Sequence, residues 1–339
     1  MPAFVVMGRR NDSFCTINRH KETLSPAPFV GEVSLGGKVL YKRKLQDIME
    51  DIRISCRLYP EFAGAEPLVS SLYRAADSRV KGPSQPGSIN LSADEIQKKF
   101  AAGSPLIENP VVDKKAFREL FGAISEQFVK REPSLEDALK EAEAFLREYF
   151  SEGEEGGWQV RDMPVLISQM VEKTPVKSDL ATLMVTFALS SLFAHSYNLD
   201  DAENIDAVAW EQGNCPVCGV KPHYGLLKDK EGVRMLGCWL CDFRWVFPRL
   251  KCSYCLNEDQ KDLGFFTVGA SESCRVHFCK KCSNYVKIFD LRNAIAEDTH
   301  LPVRNLATLS YDLCALKEGF KPGSGLQWVS EEEQNQSAN

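Results

Sequence analysis

The sequence contains no apolar run long enough to cross a membrane. The longest apolar stretch, Leu180 to Ala194, is interrupted by four hydroxyl side chains, and it is shorter than the roughly 20 residues of a membrane span. No apolar segment follows Met1, and the residues after Arg9-Arg10 are too polar for an export signal of the twin-arginine type. We therefore expect no stable membrane insertion, and the stretch from Leu180 predicts a buried helix.

The sequence also has little that suggests catalysis. It has only five histidines, and no Ser/His/Asp set, phosphate-binding loop or paired-carboxylate motif stands out. The segment before residue 210 shows no repeat of fixed period, and its helical pattern by itself carries no chemistry. We therefore expect a protein that is not itself an enzyme.

Cysteine is the residue type whose arrangement is most informative. Eight of the twelve cysteines form four Cys-x-x-Cys pairs, and these pairs group two and two, with 19 residues between Cys218 and Cys238 and 23 between Cys255 and Cys279. Disulfides or scattered core cysteines would not require four pairs of identical internal spacing, whereas zinc ribbons do. The pattern predicts two metal sites, formed by Cys215, Cys218, Cys238 and Cys241 and by Cys252, Cys255, Cys279 and Cys282.

Each predicted site has four protein thiolates and is therefore coordinatively closed. A catalytic zinc keeps one position open for water or substrate, so we expect two structural metal ions per chain. Iron would fit as well as zinc, because Gly219 after Cys218 allows the tight turn that both kinds of site use. Paired thiols at metal spacing are typical of a reducing compartment, and we predict a cytoplasmic protein.

Charge argues against binding to nucleic acid. The net charge is -6, but residues 210–292 carry thirteen Lys or Arg and nine Asp or Glu, formally +4, which leaves -10 for the rest of the chain. A divalent ion with four thiolates has a charge of -2, so two filled sites bring this segment to about zero. Such a segment is not the basic surface that nucleic-acid binding requires.

Four cysteines and two histidines need a separate interpretation. Cys15, Cys56 and Cys314 are isolated in sequence, and such cysteines are usually small buried hydrophobic residues. Cys274 lies five residues before Cys279 and could compete as a ligand, but we leave it out of the predicted site. Closed sites have no vacancy for a histidine, so we expect His223 and His277 to be surface or hydrogen-bonding residues.

The chain before residue 210 has the apolar periodicity of helices. Ser92 and Glu95 form a capping-box signature, and Asp113 can cap a helix that buries Phe117, Leu120, Phe121, Ile124 and Phe128. A further helix is predicted to open at Ser134, bury Leu135, Leu139, Ala142 and Leu146, and expose Glu136, Asp137, Lys140, Glu141 and Glu148. Amphipathic stretches at residues 45–52 and 66–80 complete a predicted helical bundle.

From about Trp210 the pattern changes to short strands and turns. Three aromatic residues, Phe243, Trp245 and Phe247, alternate with Arg244, Val246 and Pro248 and predict a strand that links the two ribbons. Residues 265–268 and 275–278 predict strands of the second ribbon. A last helix is expected from about Asp290 to Leu316, broken near Pro302. We therefore predict an α+β protein with these divisions: residues 1–39 uncertain, 40–209 helical, 210–249 and 250–290 two ribbons, 291–329 helical, and 330–339 a disordered tail.

The cysteine-rich segment resembles the formate dehydrogenase accessory protein family, FdhE. The resemblance rests on Trp210-Glu-Gln-Gly-Asn-Cys-Pro-Val-Cys-Gly219, on Cys238-Trp-Leu-Cys241 with Trp245, on Arg249-Leu-Lys-Cys-Ser-Tyr-Cys255, and on Cys279-Lys-Lys-Cys-Ser-Asn-Tyr-Val-Lys287. Upstream, Gly103-Ser-Pro-Leu-Ile107 is similar to a short segment of the family's helical domain. Two departures are Val220-Lys-Pro222 after the first pair and the additional Cys274.

The resemblance implies a helical N-terminal domain followed by two tandem rubredoxin-like ribbons. It also implies a cytoplasmic assembly chaperone that is required for formate dehydrogenase activity and that binds the catalytic subunit, through its twin-arginine signal region or its folded body, before export. Two alternatives stay open from the residues themselves: a zinc ribbon that binds nucleic acid, and an iron electron carrier of the rubredoxin type. A client could dock at the acidic helix face, with Trp239, Tyr254 and Tyr285 as apolar anchors.

Overall fold

The computed structural model describes residues 15–20, 44–80, 87–88, 91–151, 156–198, 210–269, 273–292 and 300–323. The chain divides into two compact units. Within the described residues, the helical unit comprises 44–80, 87–88, 109–151 and 156–198, and the strand-rich unit comprises 15–20, 91–108, 210–269, 273–292 and 300–323. Residues 91–108 thus group with the strands although they precede most of the helices. The continuous domain boundaries expected from the sequence stay a prediction.

The elements have the following bounds. The helices are α1 (Leu45–Leu58), α2 (Glu66–Arg79), α3 (Ala93–Ala101), α4 (Lys114–Arg131), α5 (Glu136–Tyr149), α6 (Met163–Lys173), α7 (Ser178–Ser196), α8 (Leu301–Ala307) and α9 (Leu309–Lys317). The strands are β1 (Ile17–His20), β2 (Gly87–Ser88), β3 (Val111–Asp113), β4 (Gly157–Gln159), β5 (Tyr197–Asn198), β6 (Tyr224–Lys228), β7 (Val233–Gly237), β8 (Arg244–Val246), β9 (Leu263–Val268), β10 (Cys274–Cys279), β11 (Asn284–Asp290) and β12 (Lys321–Pro322).

The helix starts at α3 and α4 follow the predicted caps. Ser92 and Glu95 form a reciprocal capping box at α3, and the Asp113 carboxylate accepts a hydrogen bond of 2.7 Å from the Ala116 N–H at α4. The predicted apolar face of α4 is buried, and α4 packs against α2, α5 and α7. Periodicity therefore identified the helix at the centre of the helical unit.

Helix α5 begins two residues later than expected. Pro133 starts a short 3-10 turn over Pro133–Leu135, and the Ser134 hydroxyl donates to the Glu132 carboxylate instead of capping the helix. Leu139, Ala142 and Leu146 are buried as predicted, whereas Leu135 is only half-buried. The predicted acidic face of Glu136, Asp137, Lys140, Glu141 and Glu148 is exposed.

Helix α7 contains the longest apolar run and lies in the core. Its residues Ala181, Met184, Val185, Ala188, Leu189 and Phe193 have no exposed surface, as the sequence predicted. A helix that is apolar all round is stable in a globular protein only when neighbours surround it, and α7 packs against α4 and α6. None of the described helices combines the length and apolar character that a membrane span would need.

The strand-rich unit is built on one eight-stranded sheet. Seven strands follow the order β1-β9-β10-β11-β6-β7-β8. The eighth strand, β12, pairs with β11 on the same side as β6 but with an earlier part of β11. The first ribbon contributes β6, β7 and β8, and the second contributes β9, β10 and β11. Within each ribbon the strands are antiparallel, but β11 and β6 run parallel, with Lys287 opposite Tyr224. The two predicted ribbons are therefore joined by backbone hydrogen bonds into a single sheet.

The C-terminal segment differs from the prediction. Asp290 does not open a helix but ends β11, where Arg275 and Arg292 both bond its carboxylate. Pro302 lies in the first turn of α8, a position that tolerates proline because no N–H is needed there. The break falls instead at Thr308, whose hydroxyl donates to the Arg304 carbonyl at 2.8 Å. Residues 330–339, the predicted tail, lie outside the described residues.

Candidate metal centres

The structure brings the eight predicted cysteines together in two groups of four. The first group contains Cys215, Cys218, Cys238 and Cys241, the second contains Cys252, Cys255, Cys279 and Cys282, and within each group the sulfur atoms lie within 4.8 Å of one another. A tetrahedron with metal–sulfur bonds of about 2.3 Å has sulfur–sulfur edges of about 3.8 Å. Three sulfur–sulfur separations in the first group are 3.4–3.6 Å, and two in the second group are 3.7–3.8 Å. Each group could hold one metal ion.

All four Cys-x-x-Cys turns use the same backbone device. The residue directly after the second cysteine has a positive φ in each turn: Gly219 at 77°, Asp242 at 51°, Leu256 at 56° and Ser283 at 56°. This left-handed conformation is easy for glycine and costs other residues roughly 1–2 kcal/mol. Sequence reasoning found it only at Gly219. The same positive φ occurs at Asp242, Leu256 and Ser283 although it is less favourable for these residues than for glycine. The conformation of the turn is therefore constant, whereas the residue type varies.

Backbone hydrogen bonds close these turns. In the first, the Gly219 N–H donates to the Cys215 carbonyl at 2.9 Å, and the Cys215 N–H donates to the Val220 carbonyl at 2.8 Å. The turns that begin at Cys238 and Cys252 repeat the same two bonds, with lengths of 2.9–3.1 Å. In these three turns, backbone hydrogen bonds therefore position the thiol pair.

The first group is enclosed by protein. Its four cysteines are 0–1 % exposed, and the Tyr224 hydroxyl donates to the Cys238 carbonyl. The segment Gly103–Ile107 also reaches this group, because the N–H groups of Leu106 and Ile107 donate to the carbonyls of the two residues inside the first turn, at 2.9 and 2.8 Å. The short upstream motif thus covers the first turn.

The second group is more accessible. Cys255 and Cys282 are half-exposed, whereas Cys252 and Cys279 are buried. The Tyr254 N–H donates to the Cys252 sulfur at 3.4 Å, and the Asn257 side-chain amide donates to the Cys279 sulfur at 3.9 Å. Solvent, or a partner, can therefore approach this group but not the first.

Positive charge lies beside the second group. Arg234 is 4 % exposed, and its guanidinium donates to the carbonyls of Pro248, Arg249 and Lys251 at 3.1–3.3 Å. These carbonyls belong to the linker that leads into Cys252. A cavity of about 20 Å³ between this linker and the sheet has room for about one water molecule. Arg234, Arg249 and Lys251 line this cavity together with Cys252 and Cys279, and their positive charges would offset the net negative charge of four thiolates with a divalent ion.

Among the protein groups alone, hydrogen bonds favour one thiolate in each group. A bond from Cys252 lowers the pKa of Cys282 to about 5, and burial raises the pKa of Cys255 to about 11. At Cys238 burial acts to raise the pKa, but bonds from the other three thiols outweigh burial and hold the pKa well below its usual range. A divalent ion favours the thiolate form of every cysteine ligand. With an ion bound, all four cysteines of a group would be thiolates, and these differences in pKa would disappear.

Neither histidine joins a thiol group. His223 stacks on Trp239 at 5.6 Å between ring centroids, and burial lowers the pKa of His223 to about 4. His277 stacks on Phe265 at 5.4 Å between ring centroids and is 7 % exposed, so of the two expected roles, surface or hydrogen-bonding, its burial excludes the surface position. Burial, together with nearby arginines, keeps the pKa of His277 well below its usual range.

The remaining cysteines divide into three cases. Cys274 lies at the opposite end of β10 from Cys279, and burial raises the pKa of Cys274 to about 12. Cys56 is a free, half-buried thiol in α1. Cys15 and Cys314, which were expected to be small buried hydrophobic residues, instead form a disulfide with their Cα atoms 5.7 Å apart. Sequence gave no signal for this pair, because 299 positions separate the two residues.

The proposed apolar anchors are mostly unavailable. Trp239 is 6 % exposed and Tyr285 is 4 % exposed, while the half-buried Tyr254 donates its hydroxyl to the Pro222 carbonyl at 2.7 Å. The expectation that these rings face a client is therefore wrong for Trp239 and Tyr285. Both rings are large and apolar, and both are buried within the strand-rich unit.

Tyr285 belongs to a buried network that sequence reasoning missed. Its hydroxyl donates to one Asp312 carboxylate oxygen at 2.7 Å, and the Lys287 ammonium donates to the other at 2.6 Å. Lys287 also donates to the carbonyls of Asn305 and Thr308. The signal was present in the Tyr-x-Lys pattern, since residues i and i+2 of a strand share a face and a buried lysine needs acceptors.

Comparisons with known proteins agree with this description. Residues 214–249 match the family model "FdhE, central domain". The FdhE homolog of Aquifex aeolicus is 26 % identical over 238 residues, covering 69 % of this chain and 77 % of that protein. The FdhE homolog of Stutzerimonas stutzeri is 33 % identical over 113 residues, covering 32 % of this chain and 36 % of that protein.

The fold has a counterpart among solved structures. The crystal structure of the FdhE protein from Pseudomonas aeruginosa superposes with a TM-score of 0.51 at 18 % identity, and the match covers 85 % of this chain and 98 % of that one. Together with the α+β arrangement of helices and two four-thiol ribbons, these matches confirm the expected fold and the sequence resemblance. The chain is similar to FdhE proteins in the sequence of its first ribbon and in its fold.

Proposed function

We propose that this protein is an accessory chaperone of formate dehydrogenase that binds the catalytic subunit in the cytoplasm during maturation, before export. The support is the similarity to FdhE proteins together with one structural observation: both thiol groups have a complete set of four sulfur donors. Such a set leaves no coordination position for a substrate. A protein-binding role needs no such position, and the chain on this proposal is not an enzyme.

The eight thiols, on this proposal, hold two ions of zinc or iron. The tetrahedral spacing and the soft sulfur donors suit either metal. The ions would stabilise the turns, since metal binding contributes about 10–16 kcal/mol to the folding of small zinc domains. Metal analysis by mass spectrometry, combined with the visible absorption spectrum, distinguishes colourless zinc from coloured iron. Reversible bleaching of an iron band would favour the electron-carrier alternative instead.

A genetic experiment tests the role in maturation. Deleting the gene should lower formate dehydrogenase activity in cells, and a plasmid copy should restore it, while the purified protein should not oxidise formate. A plasmid copy with Cys215 and Cys218 replaced by serine should fail to restore activity. Unchanged activity after deletion, in a strain without a second copy, would refute the proposed role.

A binding experiment tests the partner. The tagged full-length protein should capture the catalytic subunit of a formate dehydrogenase from lysate, with or without its twin-arginine signal region. The exposed acidic face of α5 is the proposed docking surface, because a basic segment would be attracted to it. Recovery of nucleic acid in place of that subunit would support the nucleic-acid alternative.

A further inference from the structure

Strand β1 is attached to the strand-rich unit through strand β9 and helix α9. It pairs antiparallel with β9, from Ile17 opposite Val268 to His20 opposite Phe265. The disulfide of Cys15 with Cys314 and the ion pair of Arg19 with Glu318 then connect β1 to helix α9 and the residue that ends it. The strand is four residues long and lies at one end of the sheet order.

Apolar burial contributes little to holding β1 in place. From Cys15 to Arg19, every residue is half-buried or exposed. The Arg19 side chain is 69 % exposed, and exposed ion pairs add little stability. The cross-link is therefore the strongest attachment of β1, and without it the strand would separate from β9 much more often.

The two thiols differ in access. Cys15 is half-buried, whereas Cys314 is 1 % exposed. A soluble disulfide would therefore react first at Cys15. The Cys15 thiolate attacks glutathione disulfide, forms a mixed disulfide and releases one glutathione thiol. The Cys314 thiolate then attacks the Cys15 sulfur and releases the second glutathione thiol. Two protein thiols and one glutathione disulfide become one protein disulfide and two glutathione thiols.

We propose that Cys15 and Cys314 form a reversible thiol–disulfide site, which reacts with small disulfides and thiols and which locks β1 onto the edge of β9. Reversibility rests on the proposed cytoplasmic location, where disulfides are usually transient and redox-sensing. In the reduced form β1 separates readily and uncovers the backbone N–H and C=O groups of β9. An uncovered edge of this kind accepts an extended peptide strand.

The test uses the full-length, metal-loaded protein in glutathione buffers of defined ratio. After trapping with N-ethylmaleimide, peptide mass spectrometry measures the fraction of Cys15 linked to Cys314, and Cys56 serves as the unpaired reference thiol. Hydrogen exchange then follows the amides of residues 263–268. Exchange should be at least roughly tenfold faster in the reduced protein, a conservative value for losing a cross-link. Metal content is measured in both samples.

Two variants provide controls. Cys15→Ser should show the fast β9 exchange in both buffers, because its partly exposed position tolerates serine. Cys56→Ser should behave like the wild type in both. Failure of Cys15 and Cys314 to link in oxidising buffer would overturn the proposal, and so would equal β9 exchange in the linked and reduced forms. Neither result depends on formate dehydrogenase activity, so failure of this proposal can be distinguished from failure of the proposed function.

Discussion

Lys287 joins strand β11 to helix α9, and its replacement by methionine is the sharpest test of how the C-terminal helices are held. The Lys287 side chain is 2 % exposed, and its ammonium donates to the Asp312 carboxylate at 2.6 Å and to the carbonyls of Asn305 and Thr308 at 2.9 and 3.3 Å. Methionine keeps most of the aliphatic volume but removes the charge and all three bonds.

The expected cost follows from the burial of the pair. Removing one partner of a buried ion pair costs about 3–5 kcal/mol. The Asp312 side chain is 21 % exposed, so water can partly solvate it in the variant. We therefore expect the lower end, about 3 kcal/mol, which corresponds to roughly a 150-fold change in an opening equilibrium.

Native-state hydrogen exchange of the α9 amides is the appropriate assay. A chain with two units need not unfold in one step, whereas exchange reports local opening. The α9 amides should exchange roughly 150-fold faster in Lys287→Met, and Asp312→Asn combined with it should cost less than the sum of the single changes. Lys261→Met, at an exposed lysine, is the matched control. An α9 exchange rate within about threefold of the wild type would refute the reasoning.

Further predictions concern the metal centres and the docking face. Zinc-loaded protein mixed with a chromogenic chelator should release one ion at least roughly tenfold faster than the other, because burial of the ligands and hydrogen bonds to them change metal affinity by 10–100-fold. A single release phase would contradict the difference in exposure between the two groups of cysteines. Gly213→Ala would place a Cβ 1.9 Å from the Ser253 carbonyl oxygen, so we expect a loss of about 1–3 kcal/mol or more in thermal unfolding, with the unhindered Gly64→Ala as control. Leu256→Asn should stabilise the protein by up to about 1 kcal/mol, because asparagine tolerates a positive φ, and a lower melting temperature would count against strain at that turn. Reversing the charge of both Glu141 and Glu148 should weaken capture of the client in a salt-sensitive way, which pulldowns at two ionic strengths measure; capture equal to that of the wild type would place the client elsewhere.

Local patterns predicted much of the fold. The periodicity of α4, the capping residues Ser92 and Asp113 and the apolar run of α7 each act within one element, so one sequence suffices to read them. Boundaries were less certain. A proline turn moved the start of α5, and the strand β11 was overlooked because its residues Tyr285–Asp290 lack the alternation of a half-exposed strand. That strand is covered on both faces, which hides the period of two.

The sequence alone predicted two groups of four cysteines that could each hold a metal ion, since Cys-x-x-Cys spacing is a short-range requirement of tetrahedral sulfur coordination. Only the tertiary structure decided which centre is accessible, because exposure at Cys255 and Cys282 depends on what packs around them. It also decided that the two ribbons share one sheet, that Asp312 holds Lys287, and that Cys15 meets Cys314. These are contacts between distant residues, and one sequence records the chemistry of each residue but not its partner.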